Sequence, residues 1–239
     1  MNDATGPRLI VALDHPSADE ALALAAELDP QTCRVKVANT LFVRSGPALV
    51  ENLAGRGFDV FLDLKFHDIP VQVAGACRSA ADMGVWMMNV HASGGSAMLE
   101  AARDASRDSG VLLIGVTILT SLDAGDLERA GIAGPPDAAV LRLAGLVAAA
   151  GLDGIVCSAE ELGTLKRHHP APFVCVTPGI RPSGGPGAGD DQKRVMTPGA
   201  AIRAGADYLV VGRPVTGASD PQSVVAAINA EIGAASSAA

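Results

Sequence analysis

The chain alternates regularly between short apolar runs and longer stretches rich in alanine and leucine. Eight apolar runs occur, at residues 8–14, 33–38, 58–64, 84–91, 111–118, 153–157, 173–177 and 207–212. Most are continuously apolar, which is typical of strands buried on both faces of a parallel sheet. The stretches of helical character lie at 17–28, 46–56, 71–83, 96–107, 138–150, 159–168, 198–205 and 221–232. This order of elements is the strongest constraint on the fold.

The alternation predicts an α/β protein built as a (β/α)8 TIM barrel. The length of 239 residues is close to the usual barrel size of about 250 residues. No break in composition divides the chain, so we expect one domain over residues 1–239, with a small, polar tail at 233–239 that frays. A doubly wound open sheet is the alternative fold that the same alternation allows.

Composition and charge exclude several classes of protein. Apolar residues make up 49% of the chain and charged residues 18%, which is far from a disordered composition. The formal net charge of −8 argues against a nucleic-acid-binding domain, which is expected to be basic. The sequence has no apolar run long enough to span a membrane, no signal-peptide pattern and four widely spaced cysteines. We therefore expect a cytoplasmic protein without a membrane or nucleic-acid partner.

Ionisable side chains stand at the ends of three neighbouring predicted strands. Asp14 ends the first strand and Lys36 the second, while Asp63 and Lys65 end the third. Residues at positions i and i+2 of a strand share a face, so Asp63 and Lys65 are expected to point the same way. In a barrel these strand ends form the catalytic face. Burying such groups unpaired would be costly, which predicts a network of alternating charges.

Two interpretations of this network remain open. The first is structural: a single Asp–Lys ion pair often closes the mouth of a barrel without taking part in any chemistry. The pattern here extends over three successive strands, as Asp, Lys and Asp-x-Lys. Charges clustered on a catalytic face favour a chemical role over a structural one.

A second group of candidate binding residues follows the last two strands. Arg181 follows the seventh strand, and Gly212 and Arg213 follow the eighth. Barrels often bind phosphate here, where glycine permits close backbone approach and arginine offers a planar fork for phosphate oxygens. The long Gly/Pro-rich connection at 181–192 predicts a functional loop on the same face. The alternative is a turn glycine beside a surface arginine.

Metal and nucleotide-cofactor motifs are missing from the sequence. His168 and His169 are adjacent, and none of His15, His67 and His91 has the spacing of metal ligands. The glycine patterns of dinucleotide-binding and P-loop proteins are missing as well. We therefore expect chemistry without a metal or another cofactor.

Motifs at the strand ends together resemble the orotidine 5'-phosphate decarboxylase family, nearly from end to end. The Asp-x-Lys-x-x-Asp core occurs in a wider superfamily, whereas the full ordered set is more specific. The motifs are Val11-Ala12-Leu13-Asp14, Arg34-Val35-Lys36-Val37, Asp63-Leu64-Lys65-Phe66-His67-Asp68-Ile69-Pro70, Asn89-Val90-His91-Ala92, Leu119-Thr120-Ser121, Val156-Cys157-Ser158-Ala159, Thr177-Pro178-Gly179-Ile180-Arg181 and Val211-Gly212-Arg213-Pro214.

The resemblance implies decarboxylation of orotidine 5'-monophosphate to UMP, the last step of de novo pyrimidine nucleotide synthesis, without a cofactor. It also implies a homodimer whose active sites lie at the subunit interface. Lys36, Asp63 and Lys65 would come from one subunit. Asp68 would reach in from the other subunit, and Lys65 would donate the proton to C6.

The resemblance further implies roles in substrate binding. Asp14 and Lys36 would contact the ribose, and Ser158 the edge of the pyrimidine. Thr120 would line the site from the partner chain. Four residues would hold the phosphate, namely Arg181, Gln192, Gly212 and Arg213. The full set of substrate-binding candidates is Asp14, Lys36, Ile69, Gln72, Thr120, Ser158, Arg181, Gln192, Gly212 and Arg213.

Two segments depart from the usual pattern of the family. Residues 38–40 are Ala-Asn-Thr, where bacterial members usually have Gly, a variable residue and Glu. Val71-Gln72 stands where Asn-Thr is usual, and that threonine normally helps to bind the ribose across the interface. Neither departure removes a charged member of the array.

Two other functions remain open on the sequence. A superfamily relative acting on a sugar phosphate, such as 3-keto-gulonate-6-phosphate decarboxylase or hexulose-phosphate synthase, shares the Asp-x-Lys-x-x-Asp core and uses Mg²⁺. Lys36, Ser158 and the long loop at 181–192 favour the nucleotide. The second alternative is a nucleotide-binding protein that has lost turnover, which the two departures suggest.

Overall fold

The structure is a computed structural model that describes residues 6–182 and 195–237. Its centre is a closed barrel of parallel strands in sequence order, in which the last strand pairs with the first. The strands are β1 (Leu9–Ala12), β2 (Arg34–Ala38), β3 (Val60–Phe66), β4 (Met87–His91), β5 (Leu112–Val116), β6 (Gly154–Val156), β7 (Val174–Thr177) and β8 (Tyr208–Val211).

Helices surround the barrel and connect successive strands. They are α1 (Ala18–Ala26), α2 (Asn39–Ser45), α3 (Pro47–Gly55), α4 (Pro70–Asp82), α5 (Ser96–Ser106), α6 (Ala124–Arg129), α7 (Pro136–Ala149), α8 (Leu162–His168), α9 (Pro198–Ala204), α10 (Arg213–Thr216) and α11 (Pro221–Ser236). Short 3₁₀ turns lie at Ala92–Gly94 and Ala159–Glu161. Among the helices of the described residues, none has the length and apolar character needed to cross a bilayer.

The closed barrel confirms the predicted (β/α)8 fold in a single domain and excludes the open sheet. Each predicted apolar run contains or overlaps one strand. The sequence prediction missed the short helices α2, α6 and α10. It was also wrong at the tail, since α11 continues through residues 233–236, which were expected to fray. That extension is held because Ala235 is buried, with 2% of its surface exposed.

Apolar side chains pack in two layers, one inside the barrel and one between the strands and the helices. The inner layer is made of Ile10, Ala12, Phe61, Met87, Ile114, Val174, Val176, Tyr208 and Val210. Because this layer fills the barrel, the interior is a packed core and not a channel. A ligand site therefore has room at the carboxyl ends of the strands, above this layer.

Arg34 closes the opposite, amino-terminal end of the barrel. Its side chain is buried, and its guanidinium carbon lies 4.1 Å from the ring centroid of Trp86 and 5.2 Å from that of Tyr208. Its Nε donates a hydrogen bond to Asp59 Oδ2 at 2.9 Å. The positive charge is thus paired and stacked on aromatic faces, which makes its burial tolerable.

Candidate active site

A cavity of about 340 Å³ opens at the carboxyl ends of the strands. Charged side chains of the first three strands line one side, and apolar side chains from later strands line another. The charged residues are Asp14, Lys36, Asp63 and Lys65, and the apolar ones include Ile118, Val116, Val156, Val176 and Val210. Predicted site residues from distant parts of the sequence therefore share one cavity.

Acidic and basic side chains alternate along the charged side of the cavity. Lys36 Nζ lies 3.3 Å from Asp14 Oδ1 and 3.2 Å from Asp63 Oδ2. Lys65 Nζ lies 2.6 Å from Asp63 Oδ1. The predicted alternating network is confirmed for these four residues, which we call the charged array.

Asp63 lies at the centre of the charged array and is the most constrained of its carboxylates. Burial by itself would raise the pKa of Asp63, but the charges of Lys36 and Lys65 and hydrogen bonds from Lys65 and Asn89 outweigh it. The pKa of Asp63 is therefore held below its usual value. Near neutral pH the residue is an anion between two cations.

Asn89 on β4 is a site residue that the sequence analysis did not assign. It is fully buried, its Nδ2 donates to Asp63 Oδ1 at 2.7 Å, and its Oδ1 accepts the backbone N–H of Lys65 at 2.8 Å. A polar amide inside the apolar run 84–91 was the available signal, because a buried polar side chain requires hydrogen-bond partners.

The last two strands contribute the predicted phosphate-binding residues to the same cavity. Arg181, Gly212 and Arg213 all line it, and Gly179 joins them. A Cβ added at Gly212 would lie 3.9 Å from Asp14 Oδ2, so the missing side chain leaves the backbone open to a ligand. Most of the predicted loop over 181–192, including Gln192, lies outside the described residues.

Three predicted residues after β3 do not line the cavity of their own chain. Asp68, Ile69 and Gln72 are exposed, and Asp68 Oδ1 accepts the backbone N–H of Ile69 at 2.6 Å. Within one chain none of the three lines the cavity that contains the charged array. Their roles in catalysis and binding stay predictions.

The structure places Thr120 and Ser158 differently with respect to the cavity. Thr120 lines the cavity of its own chain, and its predicted place in the site of a partner chain stays a prediction. Ser158 is buried beside the cavity, where its Oγ accepts the backbone N–H of Glu160 at 3.4 Å and caps the turn at Ala159–Glu161. Its contact with the pyrimidine stays a prediction.

Two histidines lie beside the charged array. The ring centroids of His67 and His91 are 5.4 Å apart. Burial lowers the pKa of His91, and the charges of His67 and Lys65 lower it further against the opposing effect of Asp63. Within residues 6–182 and 195–237, no three His, Cys, Asp or Glu side chains come together in a way that could hold a metal ion.

Charged groups gathered at this end of a (β/α)8 barrel are typical of an enzyme, since the fold places its reacting groups there. The chain belongs to the orotidine 5'-phosphate decarboxylase / HUMPS family, whose sequence model matches residues 7–228. The resemblance found from the strand-end motifs is thereby confirmed.

Similar proteins cover nearly the whole chain. A relative from Halorhodospira halophila named orotidine 5'-phosphate decarboxylase is 60% identical over 231 residues, covering 96% of this chain and 97% of its own. A relative of the same name from Chromobacterium violaceum is 58% identical, covering 94% of this chain and 91% of its own. The crystal structure of orotidine 5'-phosphate decarboxylase from Lactobacillus acidophilus superposes with a TM-score of 0.84 at 34% identity, covering 95% and 99% of the two chains.

Proposed function

We propose that this protein decarboxylates orotidine 5'-monophosphate to UMP, the last step of de novo pyrimidine nucleotide synthesis. The observation that carries the proposal is the position of Asp63 between Lys36 and Lys65, with N–O distances of 3.2 and 2.6 Å. The charged array lines the same cavity as Arg213. A substrate whose phosphate binds Arg213 can therefore present its reacting carbon to the lysines. The names of relatives at 60% and 58% identity support the proposal.

The reaction needs a positively charged group close to C6 of the pyrimidine ring. Loss of CO₂ breaks the bond from C6 to the carboxylate and leaves the electron pair in the plane of the ring, where the π system cannot delocalise it. An ammonium beside C6 stabilises this developing charge and then gives C6 its proton. We assign that ammonium to Lys65, which becomes a neutral amine until solvent returns a proton. No electrons are gained or lost overall, so the step requires no redox cofactor.

The charged array prepares the site for this step. Asp63, whose pKa is held below its usual value, keeps the two ammonium groups in fixed positions before the substrate arrives. Groups fixed in advance need no reorganisation as charge develops, which is the main source of electrostatic catalysis. Lys36 and Asp14 extend the array toward solvent, in keeping with contacts to the ribose hydroxyls.

The phosphate end is assigned to the opposite side of the cavity. Arg213 and Arg181 supply guanidinium groups, and Gly212 leaves its backbone accessible. The phosphate is remote from the bond that breaks, so its binding energy serves to position C6 beside Lys65. Gln192 is proposed to join this subsite.

Asp68, Ile69 and Gln72 are proposed to act in the active site of a second copy of the chain. Asp68 is exposed and separate from the charged array of its own chain. Around it, Ile69 and Val71 expose 61% and 67% of their surface, an apolar pair suited to burial between copies. A homodimer with shared sites would bring Asp68 to the array as a third carboxylate, beside Asp14 and Asp63.

Activity is tested by following the loss of orotidylate absorbance with purified protein, in the presence and absence of EDTA. We expect turnover that EDTA leaves unchanged. Lys65→Met should abolish turnover while the circular dichroism of the barrel is retained. Lys166→Met is the matched control, because Lys166 pairs with Asp207 at 2.6 Å away from the cavity lining and its loss should leave turnover intact.

Two results would contradict the proposed cofactor-free decarboxylation, and a third would contradict the role of Lys65. Absence of turnover together with tight UMP binding would identify a nucleotide-binding protein. Turnover of orotidylate that disappears on chelation would contradict chemistry without a metal, and turnover of a sugar phosphate with Mg²⁺ but none of orotidylate would favour the Mg²⁺-dependent relatives. Equal loss in the Lys65 and Lys166 variants would remove the assigned role of Lys65.

Shared sites are tested by mixing two inactive variants, Lys65→Met and Asp68→Asn. In a dimer with shared sites, each mixed dimer rebuilds one intact site, so an equimolar mixture should recover about a quarter of the wild-type activity after subunit exchange. A mixture that stays inactive after proven exchange would place Asp68 outside the partner's site.

A further inference from the structure

Asn89 lies directly behind the charged array without reaching the ligand space. It sits on β4 next to β3 and is fully buried. Its side chain is not part of the cavity lining, whereas Asp63 and Lys65 both are. Any influence of Asn89 on a ligand must therefore pass through these two residues.

The backbone at Lys65 departs from regular strand geometry. Leu62 pairs with Met88, and the next pair is Phe66 with Val90, so four steps along β3 match two steps along β4. Lys65 has a φ of +54°, and it is the one non-glycine residue with positive φ in the described part of the chain. Such a conformation is unfavourable for a lysine and persists only where surrounding contacts hold it.

The amide of Asn89 supplies the missing contacts at this irregularity. Its Oδ1 accepts the Lys65 backbone N–H at 2.8 Å, and its Nδ2 donates to Asp63 Oδ1 at 2.7 Å. A backbone N–H requires an acceptor and a carboxylate requires a donor, and a neutral amide offers both from one side chain. The same Asp63 oxygen accepts Lys65 Nζ at 2.6 Å.

We propose that Asn89 is a positioning residue that sets the ammonium of Lys65 by holding both the backbone of that lysine and its counter-ion. The proposal rests on the proposed function, in which Lys65 protonates C6. Asp63 fixes the end of the lysine side chain, and Asn89 fixes its start. Loss of Asn89 would let the backbone of Lys65 leave its positive φ, which shifts the start of the lysine side chain and with it the position of the ammonium.

Two substitutions separate this role from simple packing. Asn89→Leu keeps the approximate size and removes both hydrogen bonds. Asn89→Asp keeps an acceptor but places a second carboxylate against Asp63 whenever both are ionised. Thr117→Val is the matched control, since Thr117 is also buried at this end of the barrel and its Oγ1 donates to the carbonyl of Val156 at 3.1 Å, outside the cavity lining.

Kinetics should show a change in kcat with little change in binding. A misplacement of the reacting group by about 1 Å costs on the order of 100-fold in rate, which is the loss of kcat expected for Asn89→Leu. The affinity for UMP, measured by calorimetry, should change by less than about threefold, because Asn89 does not line the cavity. Thr117→Val should retain both values.

The pH profile gives a second readout. Asp63, Lys65 and Lys36 face this position from β3 and β2, and His91 follows on β4. In the Asn89→Asp variant two adjacent carboxylates share a proton as pH falls, and the neutral acid so formed donates the hydrogen bond that the amide N–H supplied before. The kcat of this variant relative to wild type should rise about tenfold from pH 8 to pH 6, whereas that of Asn89→Leu, which retains His91, should stay flat.

Crystal structures of the two variants separate failure of this proposal from failure of the proposed function. The Asn89→Leu structure should show Lys65 with negative φ and its Nζ displaced from its wild-type position beside Asp63, whatever the wild-type activity proves to be. Positive φ and an intact Lys65–Asp63 pair in that variant would overturn the positioning role. An inactive wild type with the expected rearrangement would overturn the proposed function alone.

Discussion

Replacing Lys36 by methionine tests whether the charged array is held together by its own electrostatics. The substitution keeps an unbranched side chain and removes the cation between two carboxylates. Lys36 and Asp63 have side chains that are only 9% and 12% exposed. Their separation of 3.2 Å corresponds to a Coulomb attraction of about 5 kcal/mol at an effective dielectric constant of about 20.

The net loss of stability should be smaller than this attraction. Removing Lys36 also removes the cost of burying its charge, and Asp63 keeps Lys65 and Asn89 as partners. Breaking a buried pair typically costs about 3–5 kcal/mol, so we expect about 3 kcal/mol at neutral pH. Asp14→Asn is the comparison, because Asp14 is 60% exposed and its loss should cost less than about 1 kcal/mol.

Urea unfolding at one protein concentration and several pH values measures both variants. The pKa of Asp63 is lowered in the folded chain, so the stability it contributes is present above its unfolded pKa of about 3.9 and is lost as pH falls through the folded value. The difference between wild type and Lys36→Met should therefore shrink in acid. A loss equal to that of Asp14→Asn, or one independent of pH, would refute the reasoning.

Three further predictions concern stability and binding. Arg34→Met, which removes the cation closing the barrel, should lower the free energy of unfolding by about 3 kcal/mol and leave kcat/KM unchanged in the decarboxylase assay. Gly154→Ala should lower the free energy of unfolding, measured in urea, by more than about 2 kcal/mol, because the new Cβ would overlap the backbone carbonyl oxygen of Val174. Gly145→Ala is the control and should be tolerated, since a Cβ at Gly145 meets no described atom within 4 Å. Burial is the largest of the effects that lower the pKa of His91, so the folded chain resists protonation of this residue. The free energy of unfolding should therefore fall as pH drops below the unfolded pKa of about 6.5, and His91→Gln should flatten that fall between about pH 7 and pH 5.

The barrel was predictable because its strands carry a strong and simple signal. Runs such as residues 111–118 are almost continuously apolar, and their short length and regular spacing between helical stretches are typical of strands buried on both faces of a sheet. The short helix α2 was missed because its residues, Asn39–Ser45, include little helical periodicity and follow β2 without a linker. Tertiary packing, not local propensity, decides such segments.

The charged array was predictable because charge is conspicuous at the end of an apolar strand. Asp63 and Lys65 were expected to share a face by regular alternation, yet the structure brings them together through an irregular β3 in which Lys65 has positive φ. Asn89 could not be assigned from the sequence since its role depends on that irregularity. Periodicity describes regular strands and carries no information about where the pairing slips.

The roles of loop residues are harder to predict, because the sequence does not show whether a loop covers the barrel of its own chain or that of a second copy. Thr120 lines the cavity of its own chain, and its predicted contribution to the site of a partner stays a prediction. Asp68 is exposed in one chain, and its role in the site of a second copy stays a prediction. Both questions depend on the arrangement of loops in space, which strand and helix patterns do not encode.

The pairing of β8 with β1 has a consequence for biosynthesis. The charged array belongs to the ends of β1–β3, whereas Arg181, Gly212 and Arg213 follow β7 and β8, near the opposite end of the polypeptide. Leu209 and Val211 pair with Leu9 and Val11 to join these two groups. During synthesis the cavity therefore stays incomplete until the residues that follow β8 have left the ribosome and β8 has paired with β1.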